Sequence, residues 1–150
     1  MIERTFVMGK PDGVGRRLIG EVIGRYEAEG LKLVGIKMQI VSLDLAEKHY
    51  AEHRDKSFYD GLIAFITSGP SVQMVWEGEG AIDAVRTLNG ATDPQKADTG
   101  TIRADFGQTV QQNIVHASDA PKTAEREIAL YFQPSELWDY SQPDAAWLQE

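Results

Sequence analysis

From Thr5 to Phe132 the chain switches repeatedly between two hydrophobic periods, and no other property limits its architecture as tightly. Thr5–Lys10 (TFVMGK) is a short apolar run that ends in a charge and then in Pro-Asp-Gly, a turn signature. It reads as a strand that delivers Lys10 to its tip. Leu18–Glu29 carries Leu18, Ile19, Val22, Ile23 and Tyr26 at helical spacing, with Gly30 behind it as a C-cap. Leu31–Val41 alternates polar and apolar in its first half, which predicts a long strand with one solvated face. Ser42 caps a helix expected over Leu45–His53, and a short helix over Tyr59–Thr67 breaks at Ser68-Gly69-Pro70. Val72–Trp76 reads as a buried strand, Glu77–Gly80 as a turn, and Ala81–Leu88 as a helix with Ile82, Val85 and Leu88 inward. Asn89–Gly100 is a polar loop with room for one helical turn. Asn113–His116 (NIVH) is a short strand, and Thr123–Phe132 a helix with Ala124, Ile128, Tyr131 and Phe132 on one stripe. Helices interleaved with about four strands predict a small α+β or α/β sandwich, and leave its topology open.

A length of 150 residues fits one domain over 1–150, and 42% hydrophobic residues are enough for a core. The last eighteen residues hold two prolines and two tryptophans without a clear period. From about residue 133 we therefore expect a tail docked on the domain or on a neighbouring subunit. The absence of cysteine removes disulfides, thiolate zinc sites and a Cys nucleophile. Charges at Glu3, Arg4 and Lys10 rule out a signal-peptide core, and no run approaches the ~18–20 apolar residues that span a bilayer. The expectation is a soluble cytoplasmic protein with no membrane partner. A net charge of −8, from 23 acidic and 15 basic residues, argues against nucleic acid as the main partner. Solubility is the plain reading of the acidic excess, and adaptation to salt is the other.

Chemistry has few candidates. His49 and His53 stand four apart on an expected helix, the spacing of a two-His metal pair. HYAEH lacks the glutamate placement of HExxH, however, and no third ligand stands out, so they read as polar residues on a solvated helix face. His116 ends an apolar run, and Glu127 follows eleven residues later, about two turns into the next helix. A carboxylate there can fold back onto one imidazole nitrogen and leave the other free, with Ser118 in the same network. On the residues alone His116 is either a core histidine satisfied by a carboxylate or a nucleophile held by one. A neutral imidazole attacks phosphorus without first losing a proton, and phosphoryl transfer then asks mainly for positioning and cations. Lys10, Arg86 and Arg103 are the cations in question, and each is also readable as an ordinary surface charge. There is no GxxxxGK[ST] loop, which excludes a Walker-type ATPase.

Several segments together resemble one known family along nearly the whole chain. Lys10-Pro11-Asp12-Gly13-Val14 is similar to the N-terminal signature of nucleoside diphosphate kinases, and Asn113-Ile114-Val115-His116-Ala117-Ser118-Asp119 to their active-site segment. His49-Tyr50, Phe65-Ile66-Thr67-Ser68-Gly69-Pro70, Gly90-Ala91-Thr92-Asp93-Pro94 and Gly100-Thr101-Ile102-Arg103 fall between them in family order. The resemblance implies a ferredoxin-like βαββαβ fold with a four-stranded antiparallel sheet. It also implies ping-pong transfer of a terminal phosphate, from a nucleoside triphosphate such as ATP to a diphosphate, by way of His116. Asn113 would touch the sugar, Lys10 the ribose and the moving phosphate, and Tyr50 would lie beside that phosphate. Arg86, Thr92 and Arg103 would bind the remaining phosphates, with Mg²⁺ held mainly by the nucleotide. Phe58 would stack on the base, with Leu62 and Val110 closing the slot. Glu127 and Ser118 would orient the imidazole. The family forms homo-oligomers, and the long tail to Glu150 resembles the hexameric type more than the tetrameric or dimeric ones.

Four positions depart from the pattern. Gly9 stands where a bulky aliphatic residue is usual, and filling it with valine is expected to raise stability. Thr99 replaces a proline, Ala117 a glycine and Gln149 an aromatic residue. Ala117 is strained only if its position needs φ > 0.

Overall fold

The computed structural model of the chain describes residues 1–142. Four strands, β1 (Ile2–Gly9), β2 (Lys32–Gln39), β3 (Ser71–Glu79) and β4 (Val115–Ala117), form one sheet in the order β2-β3-β1-β4. Every pairing is antiparallel. The helices are α1 (Pro11–Gly15), α2 (Ile19–Ala28), α3 (Leu43–His49), α4 (Tyr59–Ile66), α5 (Ala81–Asn89), α6 (Ile102–Phe106) and α7 (Pro121–Tyr131). The frame β1-α2-β2-β3-α5-β4 is the ferredoxin-like βαββαβ arrangement that the resemblance implies, with the other helices added around it.

Alternation along the strands divides the core into two layers. Val7, Val72, Met74 and Trp76 point to one face and meet Val22 and Tyr26 of α2, Ala81 and Val85 of α5, and Ile102 of α6. Phe6, Met8 and Val75 point to the other face, onto Ala46 of α3, Ile63 and Ile66 of α4, and Tyr131 of α7. Local chemistry sets the helix starts. Ser42 Oγ accepts from Leu45 N at 3.1 Å, Thr101 Oγ1 accepts from Ala104 N at 3.2 Å, and prolines open α1 and α7.

Several local expectations shift. Pro-Asp-Gly is no simple turn but the start of α1, because proline's fixed φ suits a first helical position. The strand expected over Val72–Trp76 continues to Glu79, so the turn shrinks to Gly80 in the left-handed conformation at φ 58°. Helix α6, over the segment that carries Arg103, has too few residues to show a period. The loop before it contains one 3₁₀ turn, Pro94–Lys96.

Beyond α7 the chain runs along β2. A bulge between Leu33 and Gly35 leaves Val34 O free to accept from Trp138 N at 2.8 Å. A Cβ on Gly35 would lie 2.8 Å from Leu137 Cδ2, so the glycine allows this close crossing. Glu136 pairs with Lys37 at 3.2 Å, and Lys32 Nζ donates to Tyr140 O at 2.6 Å. Gln149 and the end of the tail lie outside the described residues.

Candidate active site

The register of β1 against β4 sets Met8 opposite His116 and Gly9 opposite Val115, so Lys10 emerges where β4 begins. There the backbone is forced. Lys10 N donates to Ile114 O at 2.8 Å, Ile114 N donates to Asp12 Oδ2 at 3.0 Å, and Val115 N reaches back to Asn113 O at 2.9 Å. The last bond closes a three-residue turn with Ile114 at φ 77°, a strained conformation for a β-branched residue. Such strain costs on the order of 1–3 kcal/mol and persists where the surroundings hold it. Here they hold it between Asn113 and His116.

His116 has one ring nitrogen committed and one free. Its Nε2 lies 2.9 Å from Glu127 Oε2, while Ser118 Oγ donates to Glu127 Oε1 at 2.6 Å. The His49 Nε2 reaches the same Oε2 at 2.9 Å, and its Nδ1 lies 2.7 Å from the Tyr131 hydroxyl. An ionised carboxylate only accepts, so each neutral imidazole must carry its proton on Nε2. The lone pair of His116 Nδ1 is therefore left for chemistry. Burial would raise the Glu127 carboxyl, but the His116 and His49 imidazoles outweigh it and hold the group well below the usual carboxylate range. Burial pushes His49 down to about 4 against the pull of Glu127, so its ring is neutral.

The cations lie around the turn that precedes β4. Lys10 is buried, and its Nζ donates to Asn113 Oδ1 at 2.9 Å and Gln111 O at 2.5 Å. Asn113 Nδ2 donates to Thr92 O at 3.0 Å, tying the long loop to the site. Burial lowers Lys10 to about 8, with Asp12 opposing and Arg103 adding to the effect. Arg103 is buried and donates to Gly90 O at 2.8 Å, Val115 O at 2.6 Å and Asn113 O at 3.4 Å. It therefore builds the site as well as charging it, with N–H groups left over for an anion. Arg86 and Thr92 are exposed. Phe58 and Val110 are 52% and 57% exposed, and half-buried Leu62 follows one turn after Phe58 at the start of α4. Gln111 Nε2 donates to Gly61 O at 3.5 Å, which brings the Val110 loop against α4.

Of the residues singled out from sequence, His116, Glu127 and Ser118 form one cluster, and Lys10, Asn113, Thr92 and Arg103 a second. Tyr50 is buried, its ring 6.1 Å from that of His116 and stacked on His49 at 4.2 Å. The expectation for His49 is overturned. It does not lie on a solvated helix face but is 1% exposed and belongs to the site. Helix α3 ends at His49 and a 3₁₀ turn, Ala51–His53, follows, so His49 and His53 do not share one continuous helical face. His53 stays at the surface beside Glu52 and Lys56. Sequence reasoning also missed Tyr131 and Asp12. The available signal was the spacing of Glu127 and Tyr131, one helical turn apart on α7. Ala117 has no positive φ, so a glycine is not required there.

An imidazole braced by a buried carboxylate, with buried Lys10 and Arg103 around the turn before its strand, is the arrangement expected of a phosphotransferase working through histidine. The comparisons with known proteins narrow this class. The family described as Nucleoside diphosphate kinase matches residues 3–137. A nucleoside diphosphate kinase of Archaeoglobus fulgidus is 56% identical over 149 residues, covering 99% of each chain. One of Cyanothece sp. is 54% identical, over 99% of this chain and all of that one. Among solved structures, a halophilic nucleoside diphosphate kinase from Halobacterium salinarum in complex with CDP superposes with a TM-score of 0.95 at 53% identity, over 100% of both chains. A family protein from Babesia bovis gives 0.93 at 46% identity, covering 97% of this chain and 99% of that one. The chain belongs to the nucleoside diphosphate kinase family. It is a kinase that passes the terminal phosphate of a nucleoside triphosphate to a nucleoside diphosphate, through a phosphohistidine.

Proposed function

We propose that His116 carries the phosphate and that the residues around it divide the work in two. The observation that carries this reading is the 2.9 Å contact of His116 Nε2 with Glu127 Oε2, from which it follows that Nε2 holds the proton and Nδ1 the lone pair. In the first half-reaction Nδ1 attacks the terminal phosphorus, an N–P bond forms, and the P–O bond to the departing diphosphate breaks. The ring becomes cationic and Glu127 balances it. In the second half-reaction a diphosphate oxygen attacks, and the N–P electrons return to Nδ1.

Lys10 and Asn113 serve the sugar and the moving phosphate, and Tyr50 packs beside that phosphate. Arg86, Thr92 and Arg103 take the outer phosphates. Phe58, Leu62 and Val110 hold the base by its faces, a contact open to any base. Mg²⁺ would neutralise the phosphate charge and arrives on the nucleotide. Among the described residues the one cluster with metal-ligand chemistry, His49, His116 and Glu127, is rich in nitrogen and already hydrogen-bonded, which suits a hard oxygen-seeking ion poorly.

The protein acts as a single domain over 1–150 and as a homo-oligomer, with a hexamer favoured by the long tail. Edge strand β2 supports assembly, since Ile36 and Met38 on one side of it and Ile40 just past its end are 49%, 59% and 60% exposed. No helix among the described residues is long and apolar enough to cross a membrane, and a cytoplasmic location fits the substrates. Brief incubation with γ-labelled ATP tests the central reading. An acid-labile, base-stable label discharged by GDP or CDP and absent from His116→Ala supports it. A label that survives in His116→Ala overturns it.

A further inference from the structure

We propose that His49 and Tyr131 are positioning residues that keep the phosphohistidine reactive, by ensuring that Glu127 accepts a hydrogen bond from His116 without taking its proton. The proposal rests on His116 being the phosphate carrier.

The chemistry turns on one proton. Once Nδ1 holds the phosphoryl group, a ring that keeps Nε2–H leaves as neutral imidazole when the N–P bond breaks. A ring that has lost that proton must leave as imidazolate, a far more basic leaving group, and onward transfer stalls. The base nearest Nε2 is Glu127 Oε2, at 2.9 Å. Glu127 must therefore be a good acceptor and a poor base.

Three donors make it so. Ser118 holds Oε1, and His49 Nε2–H shares Oε2 with His116, the two Nε2 atoms standing 3.2 Å apart. The third donor depends on the His49 tautomer. With its proton on Nδ1 instead, His49 would turn a lone pair toward Glu127 and compete for the His116 proton. The Tyr131 hydroxyl, 2.7 Å from His49 Nδ1, donates there when Nε2 carries the proton, and so reinforces the tautomer that the Glu127 carboxylate sets. Packing fixes the ring: His49 stacks on Tyr50 at 4.2 Å, and Tyr131 stacks on Phe6 at 4.8 Å. The charged and titratable groups facing this relay are Glu127 and Arg126 of α7, His116 of β4, and the hydroxyls of Tyr50 and Tyr131, which burial keeps protonated. Arg126 is turned away onto the carbonyls of Lys48 and His49, at 3.4 Å each. Both relay partners sit on α7, Glu127 and Tyr131 one turn apart, so the helix that braces the nucleophile also sets its brace.

Tyr131→Phe keeps the ring and its stacking on Phe6 and removes only the hydroxyl. Rapid-quench measurement of the two half-reactions across pH is the test. Phosphorylation by ATP is expected near the wild-type rate. Discharge of the labelled phosphoenzyme by GDP is expected to run about tenfold slower at every pH tested, because the proton moves within the His116–Glu127 pair and is not lost to solvent. His49→Leu should do the same, and His49→Gln, which keeps an N–H donor, should restore the discharge rate. Equal slowing of both half-reactions would mean that the pair merely supports the fold, and overturns the proposal. So does discharge slowed alike by His49→Leu and His49→Gln. Absence of acid-labile label from wild-type protein removes the reading of His116 instead, and this inference with it.

Discussion

Two buried ionisable groups, Glu127 beside His116 and Lys10 at the turn before β4, are treated alike by burial but not by their neighbours. Glu127 meets three donors from its own chain within 2.9 Å, and they overcome desolvation and hold it ionised. Lys10 meets neutral oxygens and the opposing charge of Asp12, with Arg103 nearby, and desolvation wins, down to about 8. The Glu127 side is finished before any ligand arrives. The Lys10 side, where burial works against the charge, is the one we propose for the polyphosphate. The nucleophile must not reorganise between two half-reactions, whereas the phosphate site must release one nucleotide before taking another.

This contrast can be broken at several points. The largest effect is expected at Lys10. Lys10→Met should lower kcat/KM by about 10²–10³-fold, as losing one donor to a developing charge does elsewhere. A loss below tenfold would mean that the cation side is not organised around it. The same group sets an alkaline limit. Phosphates favour the charged amine, so KM for the diphosphate should rise as pH passes about 8, where free Lys10 loses its proton. An unchanged KM from pH 7 to 9.5 would contradict that.

The finished side has its own signature in acid. Folded His49 titrates near 4 and an unfolded one near 6.5, so the unfolded chain binds the extra proton between those values. Stability should fall as pH drops through that window, by up to about 1.4 kcal/mol per unit. Denaturant melts of wild type and His49→Gln sharpen this: the variant should lose that part of the slope. Phe58→Ala should raise KM about tenfold for purine and pyrimidine nucleotides alike, since a stacking face carries no base code. A change confined to one base would refute the slot.

The smallest effect concerns the support of Lys10. A Cβ at Gly9 would stand 2.3 Å from Ile19 Cδ1, so the missing side chain is already replaced by a neighbour. The gain expected from filling Gly9 therefore rests on Ile19 Cδ1, the far end of a flexible side chain, swinging aside. Gly9→Val should raise the melting temperature by only about one to three degrees, since moving Ile19 offsets part of the gain. A lower melting point for the variant would show that Ile19 does not yield.

His116 and Glu127 were legible because their spacing places them on a strand end and the helix that follows it. Lys10 was legible because a charge closing an apolar run before Pro-Asp-Gly must stand at a strand tip. His49 was not. Its burial comes from contact with Glu127, 78 residues away, and with Tyr131, 82 away. Nothing near HYAEH announces that contact. Arg103 was legible as a cation but not as the tie among Gly90, Asn113 and Val115.

By itself the sequence determined the succession of the main strands and helices and most of the turns between them, and the resemblance supplied the roles expected of His116 and its neighbours. The elements follow from periodicity and from proline and glycine, which act over a few residues. Only the tertiary structure decided which nitrogen of His116 is free, that His49 shares its carboxylate, and that Ile19 fills the space above Gly9. These depend on which distant segments the sheet brings within hydrogen-bond or packing distance, and no local pattern encodes that.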